Sequence, residues 1–557
     1  MTGTGPHFQQ TKNRLFSAWT LTTWLVALLV ATPVLVVLSF VFVPAGEVWS
    51  HLSTTVLPRY VTNTLWLMLG VGSGTLIIGV TTAWLVTMTN FPGRRIFEWA
   101  LLIPLAIPAY VIAFTYTGLL EYAGPVQSIL RDIFGWSSAS DYWFPEIRSL
   151  PGAIVMMTLV FYPYVYMLAR ASFLEQSVCV LEASRTLGQG PWATFFRIAL
   201  PLARPGIAGG LALALMETLN DFGTVDFFSV DTFTTGIYRT WLGMWEVAAA
   251  AQLGAMLMLF IFVLILLERW SRSSGTTHHS ARSYRNISRY DLKGSRALLA
   301  NVVCGIPVFI GFILPVGAMI VWTIASWHVV DSRYLSMAAS SFALAGIAAV
   351  VAVVVAVLLA YGQRLNPTRA MGFAVRLAGM GYAVPGAVIA LGIMIPFAWL
   401  DNSIDGLARQ WLGISTGLLL TGTWVALIFA YVVRFLAVSL NTVEASLGKI
   451  TPNMDGAART LGYGATRTLR KVHTPLMWGS LLTAGILVFV DVMKELPATF
   501  MMRPFGLETL AIRSYEMAND GFLVESSTSS LAIVAVGIIP VILISVAIAR
   551  SRPGGSS

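Results

Sequence analysis

Five charged residues stand in stretches otherwise too apolar to welcome them. Glu217 and Asp221 lie in LALALMETLNDFGTV, and Asp491, Lys494 and Glu495 lie in GILVFVDVMKELPAT. The i, i+4 spacing of each acidic pair puts both carboxylates on one helix face. Ionisable groups within a membrane span are costly, so they face a pathway, a partner or both. Two chemistries fit. Carboxylate oxygens suit a hard cation passing from ligand to ligand. Alternatively, Lys494 pairs with Asp491, with Glu495 or with an acid of the other half, and the five residues latch a gate.

Other reactive side chains are scattered. His278 and His279 sit in a polar segment with no further ligand nearby, and His51, His328 and His473 are isolated. Cys179 and Cys304 lack a CxxC spacing and read as small packing residues. Tyr110, Tyr116 and the FYPYVY stretch at 161–166 offer phenolic oxygens, but belts and helix packing account for most tyrosines in membranes. No metal-ligand set can be assigned. The chain has no GxxxxGK[ST], HExxH or GxSxG motif, so no catalytic residue is expected and no cofactor of its own.

The elements that must hold the five charges are membrane helices. Of 557 residues, 56% are hydrophobic and only 11% are charged, too few to cover a soluble surface. The net charge of +9 does not imply nucleic acid, because the basic residues fall between apolar runs. Measured against the ~20 residues needed to cross a bilayer, the candidates are 15–43, 62–88, 99–120, 152–169, 206–228, 248–268, 297–324, 341–361, 377–400, 417–437, 480–500 and 530–549. The first is too long for a signal peptide and reads as a retained span. The expected fold is all-α and integral to the membrane, with about twelve transmembrane helices. Most Lys and Arg collect on one side if both termini are cytoplasmic. The basic residues from Arg434 to Lys471 are assigned to one loop on that side.

The chain repeats itself. A shift of 274 residues carries Glu217 onto Asp491, Asp221 onto Glu495, Leu187-Gly188 onto Leu461-Gly462, Pro201 onto Pro475 and Arg239 onto Arg513. The shift spans an even number of helices, so the two halves are parallel repeats of six, a transporter architecture. The expected domains are 1–270, a basic linker at 271–296, and 297–557.

The strongest signal is the pair of loops within the repeat, about 181–201 and 454–475. The first reads LEASRTLGQGPWATFFRIALPLARPG and the second MDGAARTLGYGATRTLRKVHTPLMWG. Each has a short helical stretch, a Gly for a tight turn, a basic amphipathic stretch and a Pro before the next span. These loops resemble the EAA loop of ABC importer permeases of type I. Glu182, Ala183, Ser184, Gly188, Ile198, Leu200 and Pro201 match it in the first copy, and Ala457, Ala458, Gly462, Val472 and Pro475 in the second, where Gly456 stands in the place of Glu182 and the acid, Asp455, is one residue earlier. The resemblance implies an ATPase-coupling role for Glu182, Ala183, Gly188, Pro201, Ala457, Ala458, Gly462 and Pro475, with Arg185, Asp455 and Arg459 beside them. The stretches after each loop, with LLIPLAIPAYVIAF at 101–114 and GYAVPGAVIALG at 381–392, resemble the iron(III) importer permeases.

The resemblance implies a fused membrane subunit that moves ferric iron inward by alternating access. It implies two cytoplasmic ATPase subunits, a homodimer carrying ATP and magnesium, docked on the two loops. It also implies an extracytoplasmic substrate-binding protein and a bacterial inner membrane. Thiamine, an oxyanion or a polyamine are the alternative cargoes. An ion-gradient-driven secondary transporter explains twelve helices and buried acids but not two such loops at one offset.

Overall fold

The computed structural model describes residues 18–44, 46–175, 188–273 and 289–550. They form helices almost throughout. The only sheet among them is a parallel bridge of two residues a side, Thr89 with Tyr290 and Asn90 with Asp291.

Among the described residues eleven helices are long and apolar enough to cross a membrane, or twelve if one bent pair is counted as a single span. The bend corrects the straight span expected at 99–120. Residues Arg94–Ala106 and Ala109–Phe134 meet at 89°. Pro104 and Pro108 explain it, since neither can donate to an α ladder and each disfavours helix in the residue before it. Other boundaries move too: the span sought at 206–228 stops at Asn220, with Gly223–Phe227 a separate short helix, and the one sought at 377–400 is the helix Gly386–Leu412. The span sought at 417–437 is the helix Trp424–Leu447, which places Arg434 within a helix instead of in a loop. The span sought at 480–500 ends at Met493, and Pro497 opens a separate short helix.

Exposed apolar side chains line the long helices, as Leu21, Leu25, Leu28 and Leu35 do on the first. Contiguous apolar surface on this scale is covered by lipid in a membrane protein. Helix contacts inside use small residues. A Cβ at Gly392 would sit 2.2 Å from the Pro33 carbonyl oxygen, so only glycine allows the first helix to cross there.

Two compact packing units emerge, each assembled from separated stretches of chain. One comprises residues 1–45, 244–255 and 332–512. In it the first span, Ala18–Ser39, packs on Gly386–Leu412 and Ser332–Leu365. Ser332–Leu365 in turn packs on Trp424–Leu447 and Thr474–Met493. The other comprises 46–243, 256–331 and 513–557. Its centre is Leu57–Met88, Leu150–Glu175 and Leu200–Asn220, and Leu314–Ala325 packs on Leu523–Arg550.

The internal repeat survives folding in detail. Phe195–Ala199 and Leu469–His473 are both π-helical turns, and they are related by the same 274-residue shift (Phe195 onto Leu469). Pro201 and Pro475 follow within the first two residues of the next α-helix. The prolines therefore do not break the chain, contrary to the reading of the loops. A π turn widens the helix and accommodates the missing donor, and the helix runs on into the span.

Candidate functional site

The repeat-related acids Asp221 and Glu495 close their helices in the same way. Leu200–Asn220 stops at Asp221, and the carboxylate turns back to accept N–H bonds from Thr224 (2.9 Å) and Val225 (3.3 Å). Thr224 Oγ1 donates to it as well, at 3.0 Å. Thr474–Met493 stops just before Glu495, whose carboxylate accepts N–H bonds from Ala498 (2.8 Å) and Thr499 (2.9 Å) and a bond from the Thr499 hydroxyl. Each acid thus caps the short helix that follows it, Gly223–Phe227 or Pro497–Met502. A negative charge at a helix start also complements the helix dipole.

Their other partners differ. Arg434 Nη1 lies 2.7 Å from Glu495 Oε1, and both side chains are buried. Thr499 is also hydrogen-bonded to Tyr431 Oη at 2.7 Å. Asp491 pairs with Lys494 at 3.0 Å, one turn apart and partly exposed. Glu217 is half-buried on the preceding helix. The structure therefore brings Asp491, Lys494 and Glu495 together at one helix end, and Glu217 and Asp221 at another. Arg434 was missed. A guanidinium within an apolar run is itself a signal, obscured by grouping it with the loop basics.

The second of the two repeated loops forms the helix Pro452–Thr460. Its Ala458 is buried, Ala457, Arg459 and Met454 are exposed, and Leu461 just beyond it is exposed too. Gly462 ends it with φ of 75°, a left-handed conformation that favours glycine, and Tyr463 N–H reaches back to the Ala458 carbonyl at 3.0 Å. Gly188, its repeat mate, has φ of 76°. Asp455 points inward. Arg364 donates to Asp455 Oδ2 from Nε (3.0 Å) and Nη2 (2.8 Å), and His473 Nε2 lies 2.6 Å from Oδ1. Arg364 also donates to the carbonyls of Leu447 (2.6 Å) and Ile450 (2.7 Å), and Tyr361 Oη to that of Ala465 (2.8 Å). One arginine thus ties the end of the Trp424–Leu447 helix to Pro452–Thr460. His473, which reads as isolated in sequence, is buried at the heart of this anchor. Glu182, Ala183 and Arg185 lie outside the described residues, as do Cys179, His278 and His279.

A third ionic cluster had no sequence signal beyond its residue types. Glu98 takes Arg94 on one oxygen and Arg170, at 3.2 Å, on the other, all largely buried. Tyr166 Oη donates to the Glu98 carbonyl at 3.0 Å, and Tyr116 Oη to that of Ile310 at 2.6 Å, so these two phenols serve packing. Cys304 is buried. The described residues contain no group of three His, Cys, Asp or Glu arranged to hold a metal ion.

At the opposite helix ends the repeat also pairs charges. Arg59 meets Asp231 at 3.2 Å, and its mate Arg333 meets Glu508 at 2.8 Å. The loop 121–150 is tied by Arg148 to Glu121 at 2.6 Å. There the backbone N–H groups of Ser138 and Ser137 hold the exposed Asp141 carboxyl below the usual range.

Residues 75–273 match the family described as the inner membrane component of binding-protein-dependent transport systems. The Fe(3+)-transport system permease protein FbpB 2 of Haemophilus influenzae is 27% identical over 539 residues, covering 93% of this chain and 97% of the relative. The ferric transport system permease protein FbpB of Actinobacillus pleuropneumoniae is 25% identical over 467 residues, covering 79% of this chain and 64% of the relative. The molybdenum transport system permease protein ModB of Escherichia coli K12 is 28% identical over 198 residues, but that is 34% of this chain against 83% of the relative. The chain is therefore a largely helical protein with eleven or twelve candidate spans among its described residues, similar over nearly its whole length to a ferric transport permease, and its residues 75–273 match the inner membrane component of binding-protein-dependent transport systems.

Proposed function

We propose that this chain carries ferric iron across a bacterial inner membrane as the fused permease subunit of an ATP-driven importer. The observation that supports this best is the alignment with a ferric permease over nearly the whole of both chains. The molybdenum permease aligns with 34% of this chain only, which favours iron over an oxyanion. The buried acids add no separate argument for a cation, because Glu495 is answered by Arg434 and Asp491 by Lys494.

In this reading both termini are cytoplasmic, residues 1–270 and 297–557 are the two permease halves, and 271–296 links them. A homodimer of ATPase subunits, bringing ATP and magnesium, docks on the loops of Glu182, Ala183, Arg185 and Gly188 and of Ala457, Ala458, Arg459 and Gly462. The exposed face of Pro452–Thr460 suits such a docking surface, and Asp455 acts from behind it. It transmits force by fixing the coupling helix to Arg364 and His473. Pro201 and Pro475 stand where each loop helix runs into its span. Glu217, Asp221, Asp491, Lys494 and Glu495 form the gate, as caps and ion-pair latches at the two helix breaks. A binding protein delivers the cargo on the far side. For ATP to drive the cycle it must bind one state of the assembly more tightly than the other.

The test is ATPase activity in proteoliposomes holding the chain, its candidate ATPase and a binding protein. Stimulation by the iron-loaded binding protein and not by the empty one supports the reading. Stimulation only by a differently loaded binding protein keeps the importer and rejects iron. Uptake that follows a proton or sodium gradient with no copurifying ATPase rejects both.

A further inference from the structure

Arg289, within the basic linker, is held against the first permease half by the backbone pairing that follows it. Tyr290 and Asp291 pair with Thr89 and Asn90, and Leu292 N–H donates to the Asn90 carbonyl at 2.9 Å. Asn90 Nδ2 donates to Asp291 Oδ1 at 3.0 Å, and Arg289 Nε to the Thr87 carbonyl at 3.2 Å. These contacts set Arg289 beside Arg94 and Arg95. A cleft of about 650 Å³ opens between them, lined by these three arginines with Asn90, Ile96 and Asp291. The one acid among them, Asp291, already takes the Asn90 amide. Arg94 is paired with Glu98, which also takes Arg170, and donates to the Val86 carbonyl, so Arg95 and Arg289 give the cleft its excess of positive charge over Asp291.

The surroundings are apolar. Ile96 is 57% exposed and Trp99 47%, both on the short helix Arg94–Ala100. Leu298 (66%) and Leu299 (62%) are on the helix Ser295–Val308 packed beside it. A basic cleft edged by exposed apolar side chains, at helix ends, matches a phosphate on two acyl chains better than a soluble anion. The basic residues also place this end toward the leaflet richest in anionic lipid.

We propose that the Arg94–Arg95–Arg289 cleft binds the phosphodiester headgroup of an anionic phospholipid, with its acyl chains along Ile96, Trp99, Leu298 and Leu299. The bound lipid bridges the linker end to the first half. The site needs neither iron nor ATPase, so its fate is independent of the transport reading.

The experiment is native mass spectrometry of the purified full chain in detergent, with phosphatidylglycerol, phosphatidylcholine or glycerol 3-phosphate added. Phosphatidylglycerol should be retained in preference to the other two. With each surface arginine contributing as polybasic segments do, the double variant Arg95→Gln/Arg289→Gln should bind it about thirtyfold more weakly. Arg376→Gln, an exposed arginine elsewhere, should bind like the parent. Arg95→Lys/Arg289→Lys keeps the charge and should retain most binding, which guards against loss of fold in the glutamine variant. Unchanged retention in the glutamine variant, or equal retention of phosphatidylcholine, overturns the proposal. Glycerol 3-phosphate that binds as well as the lipid overturns it in favour of a soluble phosphate ligand.

Discussion

Arg434 Nη1 stands 2.7 Å from Glu495 Oε1, and the same carboxylate receives the N–H groups of Ala498 and Thr499. One acid thereby fixes three segments: the end of Thr474–Met493, the start of Pro497–Met502 and the middle of Trp424–Leu447. Removing the arginine leaves the buried carboxylate without its cation. Arg434→Ala is expected to destabilise the protein by about 3–5 kcal/mol. The additional change Glu495→Gln, which keeps an oxygen for the backbone donors, should recover part of that loss. Thermal unfolding of both variants in detergent checks this. A double variant no more stable than Arg434→Ala contradicts the pairing.

At Asp221 the structure assigns the carboxylate chiefly to capping. Asp221→Asn preserves an acceptor and should leave stability nearly unchanged, whereas Asp221→Ala should cost about 1 kcal/mol. If the carboxylate does no more than cap, iron uptake by the Asn variant stays near the parental rate. A collapse of uptake in a stable Asp221→Asn protein would assign the charge to the cargo.

For the latch, Glu217→Ala and Asp491→Ala are expected to fold and to transport poorly. A change of about 1.4 kcal/mol in the balance between open and closed states would appear as about tenfold in rate. Uptake in proteoliposomes at the parental level for both variants removes these two residues from the gate.

The coupling-helix anchor makes a different kind of prediction. Asp455→Ala releases Arg364 and His473 together, and hydrogen bonds to charged groups contribute about 1.5–3 kcal/mol each. The protein should still assemble with its ATPase, because the outer face of Pro452–Thr460 is untouched. Stimulation of ATP hydrolysis by the loaded binding protein should fall while basal hydrolysis remains. Loss of assembly instead would place Asp455 at the docking contact itself.

Gly462 and Gly464 separate conformation from contact. Gly462 has φ of 75°, while Gly464, at φ of −72°, needs no special backbone. A Cβ meets nothing within 4 Å at either position. Gly462→Ala should therefore cost about 1–2 kcal/mol from its left-handed backbone, and Gly464→Ala should be close to neutral. Equal melting temperatures for the two variants would refute the assignment.

Much of this was readable from composition and spacing. The apolar runs located the spans, since a bilayer fixes their length. The 274-residue shift located both loops, and Gly188 and Gly462 have the turn their type suggests, but the breaks after Asn220 and Met493 fell inside the expected spans 206–228 and 480–500. What escaped was long-range pairing. Nothing local tells that Asp455 meets Arg364 and not an ATPase, or that Glu495 takes Arg434. Pro104 and Pro108 announced a break within 99–120, yet the hydropathy of that run concealed the 89° bend. The π turns before Pro201 and Pro475 were likewise not read, because each stretch ahead of the proline is too short to show the phase shift that one extra residue puts into a helical period.

The composition of the two packing units bears on synthesis. The first span packs against helices from the second sequence half, and the last helix, Leu523–Arg550, packs against Leu314–Ala325 and the bend at Ile103–Ala106. A ribosome delivers chain from the N-terminus onward. Ala18–Ser39 therefore enters the bilayer long before its packing partners exist, and the unit containing residues 46–243 stays open until the final helix is inserted. Stopping translation between the halves would leave both units unfinished, so a truncated product is a substrate for quality control and not a half-transporter.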